Sequence, residues 1–533
     1  MSISSKAWAS LLALALSASA LAAQPLNLTA AQMTAADWAL RVASRYRYKA
    51  PVPQSSSVTV LDRYFHLLDR EKIFFTSADC TKLAAQYPSL NQVQAGADMA
   101  KAAAIFERLQ ARQEEFLAYA MELLNAPVAF ARDEMPLENP LPEARPASDE
   151  TMKEAWRKLV RNDRLKLHLS GMSPDAVKDS LSRRYSAYLA EQRKATSADV
   201  FEQFMNAYLF TLDPHINYFP PRMNAPQPRQ VNRGRPSLFS EDKDAAATNQ
   251  NAAKAVAWRI AAPATGGRNK PVGIIKILNF NEDFEARKRG DKDYASAARE
   301  VERALAAMKE AGVSGVLLDM RDNVGGGLQV AFDVAGLFLG SRTVLQSKNF
   351  DGRVEIHRTS APGPAWDGPL VALLNSRSAG GTEILAAALQ DYGRGVIVGD
   401  SSYGYGTVAV QVNLDRFSQD GKTGFGELKL TTAQYYRVTG SSLQRRGVTP
   451  DIQLPRASIP GAEREVDFPT ALPWGEIAPV DIERFGNLPK ILPELSRRHQ
   501  ARRTGAAPAA KEDLVQDEAV AILQDLVSQS GRN

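Results

Sequence analysis

VLLDMRDNVGGGLQVAFDVAGLFL, residues 316–339, is the stretch that decides the fold. Val316 to Met320 is a short apolar run, of a length that suits a strand buried on both faces. Gly325, Gly326 and Gly327 follow, residues that let a chain turn tightly. A helix then reads from Leu328 to Leu339. Strand, glycine turn and helix in that order make half of a βαβ unit.

The same punctuation repeats on both sides. Val272 to Phe280 (VGIIKILNF) is a continuous apolar strand. Tyr294 to Lys309 is an amphipathic helix with Val301, Leu305 and Met308 on one face, closed by Gly312. Leu370 to Leu374 is another buried strand. Gly380-Gly381-Thr382 leads into a helix from Glu383 to Tyr392, capped by Gly393, and Val396 to Val398 is a further strand. The expectation is an α/β core with a largely parallel sheet. Val408 to Leu414 then alternates, and Leu428 to Val438 reads as an edge strand or hairpin. Helical composition returns after Val480, with a loop over 507–510.

Upstream, residues from Leu26 to Phe210 recur at helical spacing, as in Phe106, Leu109, Phe116, Ala120 and Leu123. Ser173-Pro174-Asp175 reads as a helix start with proline at the first helical position. The proline- and glutamate-rich stretch 132–148 reads as a loop. Past Asp213-Pro214-His215 the composition changes. Pro220, Pro221, Pro226 and Pro228 crowd together with Arg222, Arg229, Arg233 and Arg235, the composition of a solvated connector. The expected order is a signal segment over 1–22, a helical domain over 26–222, a basic Pro/Arg-rich linker over 223–270, an α/β core over 271–480 and a helical tail over 481–533.

Composition narrows the function classes. A hydrophobic share of 44% and a charged share of 23% exclude a collagen, a disordered polymer and a multi-span membrane protein. A net charge of +5 gives no case for nucleic acid. Cys80 stands alone, which excludes an intrachain disulfide framework and a cysteine-based zinc site. Lys6, the apolar run Trp8 to Leu16 and the small-residue site Ala20-Leu21-Ala22 read as a secretory signal. The expected product is an exported chain with no membrane span. The five histidines, His66, His168, His215, His357 and His499, lack metal-ligand spacing, so no metal or other cofactor is expected. Gly421-Lys422-Thr423 fails as a phosphate loop because Arg416 stands where its leading glycine belongs. Gly404-x-Gly406-x-x-Ala409 precedes a strand, so it fails as a dinucleotide fingerprint.

Four stretches of the core carry a resemblance. They are Leu318-Asp-Met-Arg-Asp-Asn-Val-Gly-Gly-Gly327, the run Ser378 to Arg394 (SAGGTEILAAALQDYGR), Gly399-Asp-Ser-Ser-Tyr-Gly-Tyr-Gly-Thr407, and the run Tyr436 to Asp451 (YRVTGSSLQRRGVTPD). Together they resemble the tail-specific, or C-terminal processing, proteases of bacterial periplasms. The helical half joins in through Asp62-Arg-Tyr, Arg183-Arg-Tyr185 and Asp213-Pro-His-x-Asn-Tyr218, and Ala471-Leu-Pro-Trp474 extends the likeness past the core. The resemblance implies a helical N-terminal domain followed by a ClpP/crotonase-like α/β protease core, a periplasmic location and no cofactor. It also implies a serine nucleophile, a lysine base whose pKa burial depresses, and a glycine turn that holds the oxyanion.

Carried over residue by residue, that chemistry does not survive. Glu383 anchors the first pattern and puts the nucleophile's position at Gly380. Gly404, Gly406, Thr407 and Val408 anchor the second and put the base at Tyr405, with the residue supporting the base at Ala409. Gly325 and Gly326 keep the oxyanion-like turn. Gly380 has no side chain to acylate, and a phenol with a reference pKa of about 10 does not stand in for a desolvated amine. Ser378 is a weak substitute two residues away; Ser401 and Ser402 are further hydroxyls, and all three suit polar turns. The peptide-gripping PDZ domain of such proteases does not fit between Pro221 and Val272.

The expected function is that of a degenerate family member. It would work by binding unfolded or C-terminal peptides of envelope proteins, or by regulating an active protease relative. The alternatives are an active serine endopeptidase with a relocated nucleophile, and a structural envelope scaffold.

Overall fold

The computed structural model describes residues 29–48, 59–87, 99–137, 140–221, 255–261, 271–418, 421–459, 462–486, 488–505 and 513–530. The signal segment over 1–22 and most of the linker, 222–254 and 262–270, lie outside the described residues.

The first part is helical, as expected: α1 (Ala30–Tyr46), α2 (Val60–Leu68), α3 (Ser77–Gln86), α4 (Met99–Asn125), α5 (Asp149–Leu169), α6 (Pro174–Gln192) and α7 (Ser197–Leu212). The sequence writes these starts locally. Thr29, Thr59, Thr76 and Ser148 each close a capping box, and Pro174 follows its Ser173 cap. Trp156, Tyr64, Phe106 and Phe116 fill the core between the helices. Motifs quoted above turn out to be braces here. Asp62 caps α2, and the Tyr64 hydroxyl donates to Ala102 O at 3.0 Å. Arg184 pairs with Asp163, which also accepts from the Tyr185 hydroxyl at 2.7 Å.

A short strand, β1 (Asn217–Phe219), leaves the helices and pairs antiparallel with a strand of the second half, β10 (Glu427–Tyr436). β10 lies between β9 (Thr407–Asn413) on one side and β1 and β5 (Thr343–Asn349) on the other, and β5 forms a hairpin with β6 (Val354–Arg358). Leu428 and Leu430 of β10 belong to the helical core. One face of this antiparallel sheet therefore closes the helical domain.

The second sheet has the order β11 (Ile452–Gln453), β8 (Val396–Gly399), β7 (Leu370–Leu374), β4 (Val316–Asp319), β3 (Val272–Ile277), β2 (Val256–Ala261). All its neighbours are parallel except β2 with β3. α9 (Ala297–Glu310), α10 (Leu328–Leu339) and α11 (Gly381–Asp391) cover one face, after the short α8 (Phe284–Arg289). α12 (Leu488–Gly505) and α13 (Leu514–Ser530) cover the other. Burial on both faces explains why β3, β4 and β7 read as unbroken apolar runs.

One expected boundary is corrected. β2 falls inside the supposed linker over 223–270 and pairs with β3 from Val256 to Ala261. It is an edge strand with Trp258 and Ile260 exposed, so it lacks the doubly buried composition that marks its neighbours. The tail over 481–533 carries the helices α12 and α13, and Ala519, Ile522, Leu523 and Leu526 pack on Leu317, Val371, Leu373 and Val398 of the sheet. Removing Leu523 from water alone is worth about 1.5–3 kcal/mol. The β5–β6 hairpin was not foreseen either, because its second strand (VEIHR) is largely exposed.

Candidate functional site

The site forms where β4 and β7 end, at the carboxyl edge of the parallel sheet, as open α/β sheets favour. Gly380 precedes α11 with φ +58° and ψ −117°. That conformation strains any residue with a Cβ. Space is not the obstacle, because a Cβ there would stand 3.5 Å from Val324 O, 3.7 Å from Gly325 Cα and 4.0 Å from Tyr405 Cδ1. Three positions named from sequence, Gly380, Gly325 and Tyr405, therefore meet at one point.

The turn after β4 is held closely. Gly326 has φ +147°, and a Cβ on it would come within 2.6 Å of Phe280 O, so only glycine fits. The Gly325 amide is taken by Asn323 Oδ1 at 2.9 Å. Gly326 N–H makes no hydrogen bond among the described residues and is the open donor of the turn.

Glu383, used above only as an alignment anchor, ties the site together. Its carboxyl group is wholly buried and accepts from Ser402 Oγ at 2.6 Å, Gly404 N at 2.7 Å, Tyr405 N at 2.8 Å and Gly380 N at 3.0 Å. Burial pushes its pKa up to about 7, against the pull of those four donors. The turn at 380 and the loop at 402–405 thus hang on one side chain.

Tyr405 is half-buried, with its ring edge-on to His215 at 4.5 Å between centroids. Burial holds its phenol well above the ordinary range, and Asp213 and Glu465 push the same way. It is protonated and neutral near pH 7, so it cannot take a proton as a base. His215 Nε2 lies 2.7 Å from Glu465 Oε2. Gln444 donates to Glu465 Oε1 at 2.5 Å and accepts from Gly406 N at 3.0 Å. Asp213 accepts from His215 N at 2.8 Å through Oδ1, while its buried Oδ2 has no hydrogen-bond partner among the described residues. Burial raises the Asp213 pKa. Lys429 is near enough for Asp213 to act on its charge, but the two close no ion pair; burial lowers its pKa.

The serines are committed elsewhere. Ser378 is fully buried, donating to Met320 O at 2.9 Å and accepting from Asn375 N at 3.0 Å, which makes it a turn brace. Ser402 Oγ is held between Glu383 and Val448 N. Ala409 lies on β9 opposite Thr431 and brings no polar group. Beyond it, β9 pairs only with β10 among the described residues and leaves one edge open, with Val410 exposed. Among the described residues no cluster of His, Cys, Asp and Glu is arranged to hold a metal ion.

Sequence reasoning missed the roles of His215, Glu465, Gln444 and Glu383. His215 carried a signal, since it lies in the quoted Asp-Pro-His stretch. Gln444 carried the same signal, inside the quoted run Tyr436 to Asp451, whereas Glu465 carried none, because it reaches the site from a loop without periodicity.

A model of peptidase family S41 matches residues 271–454, and one of the tail-specific protease N-terminal domain matches 42–222. A tail-specific protease of Haemophilus influenzae is 25% identical over 525 residues, covering 86% of this chain and 75% of that protein. A carboxyl-terminal-processing protease of Picosynechococcus is 33% identical over 206 residues, 38% of this chain and 44% of that one, so the match takes in under half of that relative. Among solved structures, the photosystem II D1 C-terminal processing protease aligns over 38% of this chain and 48% of its own at 24% identity, with a TM-score of 0.31 that is too low to argue from.

Proposed function

Because this chain belongs to the tail-specific protease family, with the N-terminal domain of that family ahead of an S41 core, we propose that it is a member that binds peptide without cutting it. The observation that carries the reading is the meeting of Gly380 with Tyr405. At the point where the resemblance puts a nucleophile and its base, one residue has no side chain and the other is a protonated phenol. Acyl transfer needs a nucleophile and a group to take its proton. Losing either in a comparable serine enzyme costs about 10⁶ in kcat.

What remains suits binding. The open edge of β9 runs on from Tyr405 and offers its backbone groups to an extended peptide, which would add to the sheet as a strand. Gly326 N–H is free to donate to a peptide carbonyl, and Val410 and Val324 are exposed apolar side chains. We place this work in the periplasm, on the strength of the N-terminal signal segment. No described helix is long and apolar enough to cross a membrane.

The test is incubation of the mature protein with a denatured substrate and, separately, with a serine-reactive phosphonate. The expected result is neither cleavage nor labelling, while a fluorescent unfolded peptide binds. Cleavage abolished by Ser378→Ala would overturn the reading in favour of a relocated nucleophile. Absence of peptide binding, with an active relative recovered from periplasmic extract, would shift the role to regulation.

A further inference from the structure

A row of two arginines, Arg63 and Arg70, flanks the neutral His66 on α2. Arg63 and His66 lie one turn apart on the helix, and Arg70 follows the Asp69 cap, near enough for its charge to act on both. The guanidinium groups of Arg63 and Arg70 make no hydrogen bond or ion pair among the described residues. Arg63 lies over the Phe210 ring at 3.7 Å, and its Nε is shielded from water without a partner. Nearby acids are engaged elsewhere: Asp62 caps Thr59, and Asp69 is held by Arg145 and the amides of Ile73, Phe74 and Phe75. Glu463 faces both arginines without closing an ion pair.

This is a costly arrangement for the chain alone. A half-buried guanidinium with no anion has lost water and gained little. The helix dipole favours Arg70 at the C-terminal end but opposes Arg63 in the first turn. Crowding shows in the titration too. Arg63 is lowered to about 10 by burial and then by Arg70, and His66 to about 4 by burial and then by Arg63, Arg70, Arg145 and Lys72.

The row is also connected to the cleft. Phe210 packs edge-on against Phe468 at 5.9 Å, Phe468 against His215 at 6.4 Å, and His215 against Tyr405 at 4.5 Å. Arg63 is thus four ring contacts from the Gly380 turn, counting its own stack on Phe210. An extended segment of about six residues or more covers such a path.

We propose that Arg63 and Arg70 seat the acidic side chains of the peptide bound in the cleft, so that the preferred ligand is an extended segment rich in Asp and Glu. This rests on the peptide-binding reading above and names the class of peptide. The guanidinium fork matches a carboxylate through two parallel hydrogen bonds, and two forks along one row suit successive carboxylates.

The test uses the full mature chain and two labelled unfolded peptides, identical except that one carries Glu where the other carries Gln. Fluorescence anisotropy at low salt is expected to give about tenfold tighter binding for the Glu peptide. Raising the salt should shrink that ratio. Arg70→Gln, at an exposed position, should reduce the ratio several-fold, and Arg63→Gln should do the same. Arg353→Gln, on the distant β5–β6 turn, should leave it unchanged. Equal binding of the two peptides, or a ratio untouched by Arg70→Gln, overturns the proposal while leaving peptide binding itself intact. Loss of binding on amidation of the peptide's C-terminus, with no effect of Glu to Gln, assigns the row to a terminal carboxylate and also overturns it. So does arginine-dependent sedimentation with phosphatidylglycerol vesicles alongside equal binding of both peptides. If neither peptide binds, the reading of the cleft falls first.

Discussion

Glu383 and Tyr405 are joined by one hydrogen bond and have opposite standing in the molecule. Glu383 is saturated: four donors converge on it and it fixes two loops. Tyr405 stands where the resemblance puts the base, and its phenol has no means of taking a proton. The difference teaches what a fold retains. Groups whose loss would leave buried donors unpaired are kept by folding itself. Groups that serve only a reaction have no such protection, and Gly380 and Tyr405 stand in a closely held turn with neither a serine nor a lysine at those two positions.

The sharpest way to break this comparison is to put the chemistry back. Gly380→Ser, Tyr405→Lys and Ala409→Gln together should give phosphonate labelling and cleavage at least about 10²-fold above the parent, the scale of one positioned base. Tyr405→Lys alone should stay inert. Failure of the triple variant, if folded, would mean that the scaffold has drifted along with the chemistry.

Glu383→Gln should cost about 3–5 kcal/mol in chemical denaturation, because an amide cannot accept from all four donors. The same residue gives a pH signature. Its folded pKa of about 7 lies above the value near 4.5 expected in the unfolded chain. Between those values the folded state binds more protons, so this contribution is fully present below about 4.5 and is lost as pH rises through about 7. The stability difference between parent and Glu383→Gln should therefore narrow as pH rises through that window. A difference that widens would show that the four donors outweigh burial.

The two glycine turns sharpen the comparison further. Gly326→Ala should cost about 3 kcal/mol or more, since its Cβ would drive into Phe280 O. Gly380→Ala should cost only about 1–3 kcal/mol, the backbone strain without a clash. Equal costs would mean that the space over Gly380 is not open. The smallest effect is expected for Ser378→Ala, about 1–2 kcal/mol for the lost brace, with no change in any activity or labelling.

Legibility followed burial. β4, β7, α10 and α11 could be read because each is buried and bounded by glycines, so composition and position agree. β2 and β6 could not, because exposed edge strands mix apolar and polar residues with little penalty. Gly380 and Tyr405 were located from short motifs because their neighbours, Glu383, Gly404 and Gly406, are held by close backbone contacts. His215 and Gln444 lie in quoted motifs, but their meeting with Glu465 was beyond that method: nothing in a loop sequence says which distant loop it will meet.

The sequence by itself determined the element order, the glycine turns and the absence of serine and lysine at two decisive positions, because residue types there are facts of covalent structure and local sterics. Only the tertiary structure decided that Glu383 holds those positions together, that the C-terminal helices complete the sheet, and that Arg63 and Arg70 close no ion pair among the described residues. Those are consequences of which surfaces meet, and segments hundreds of residues apart meet only when burial of the whole core brings them there.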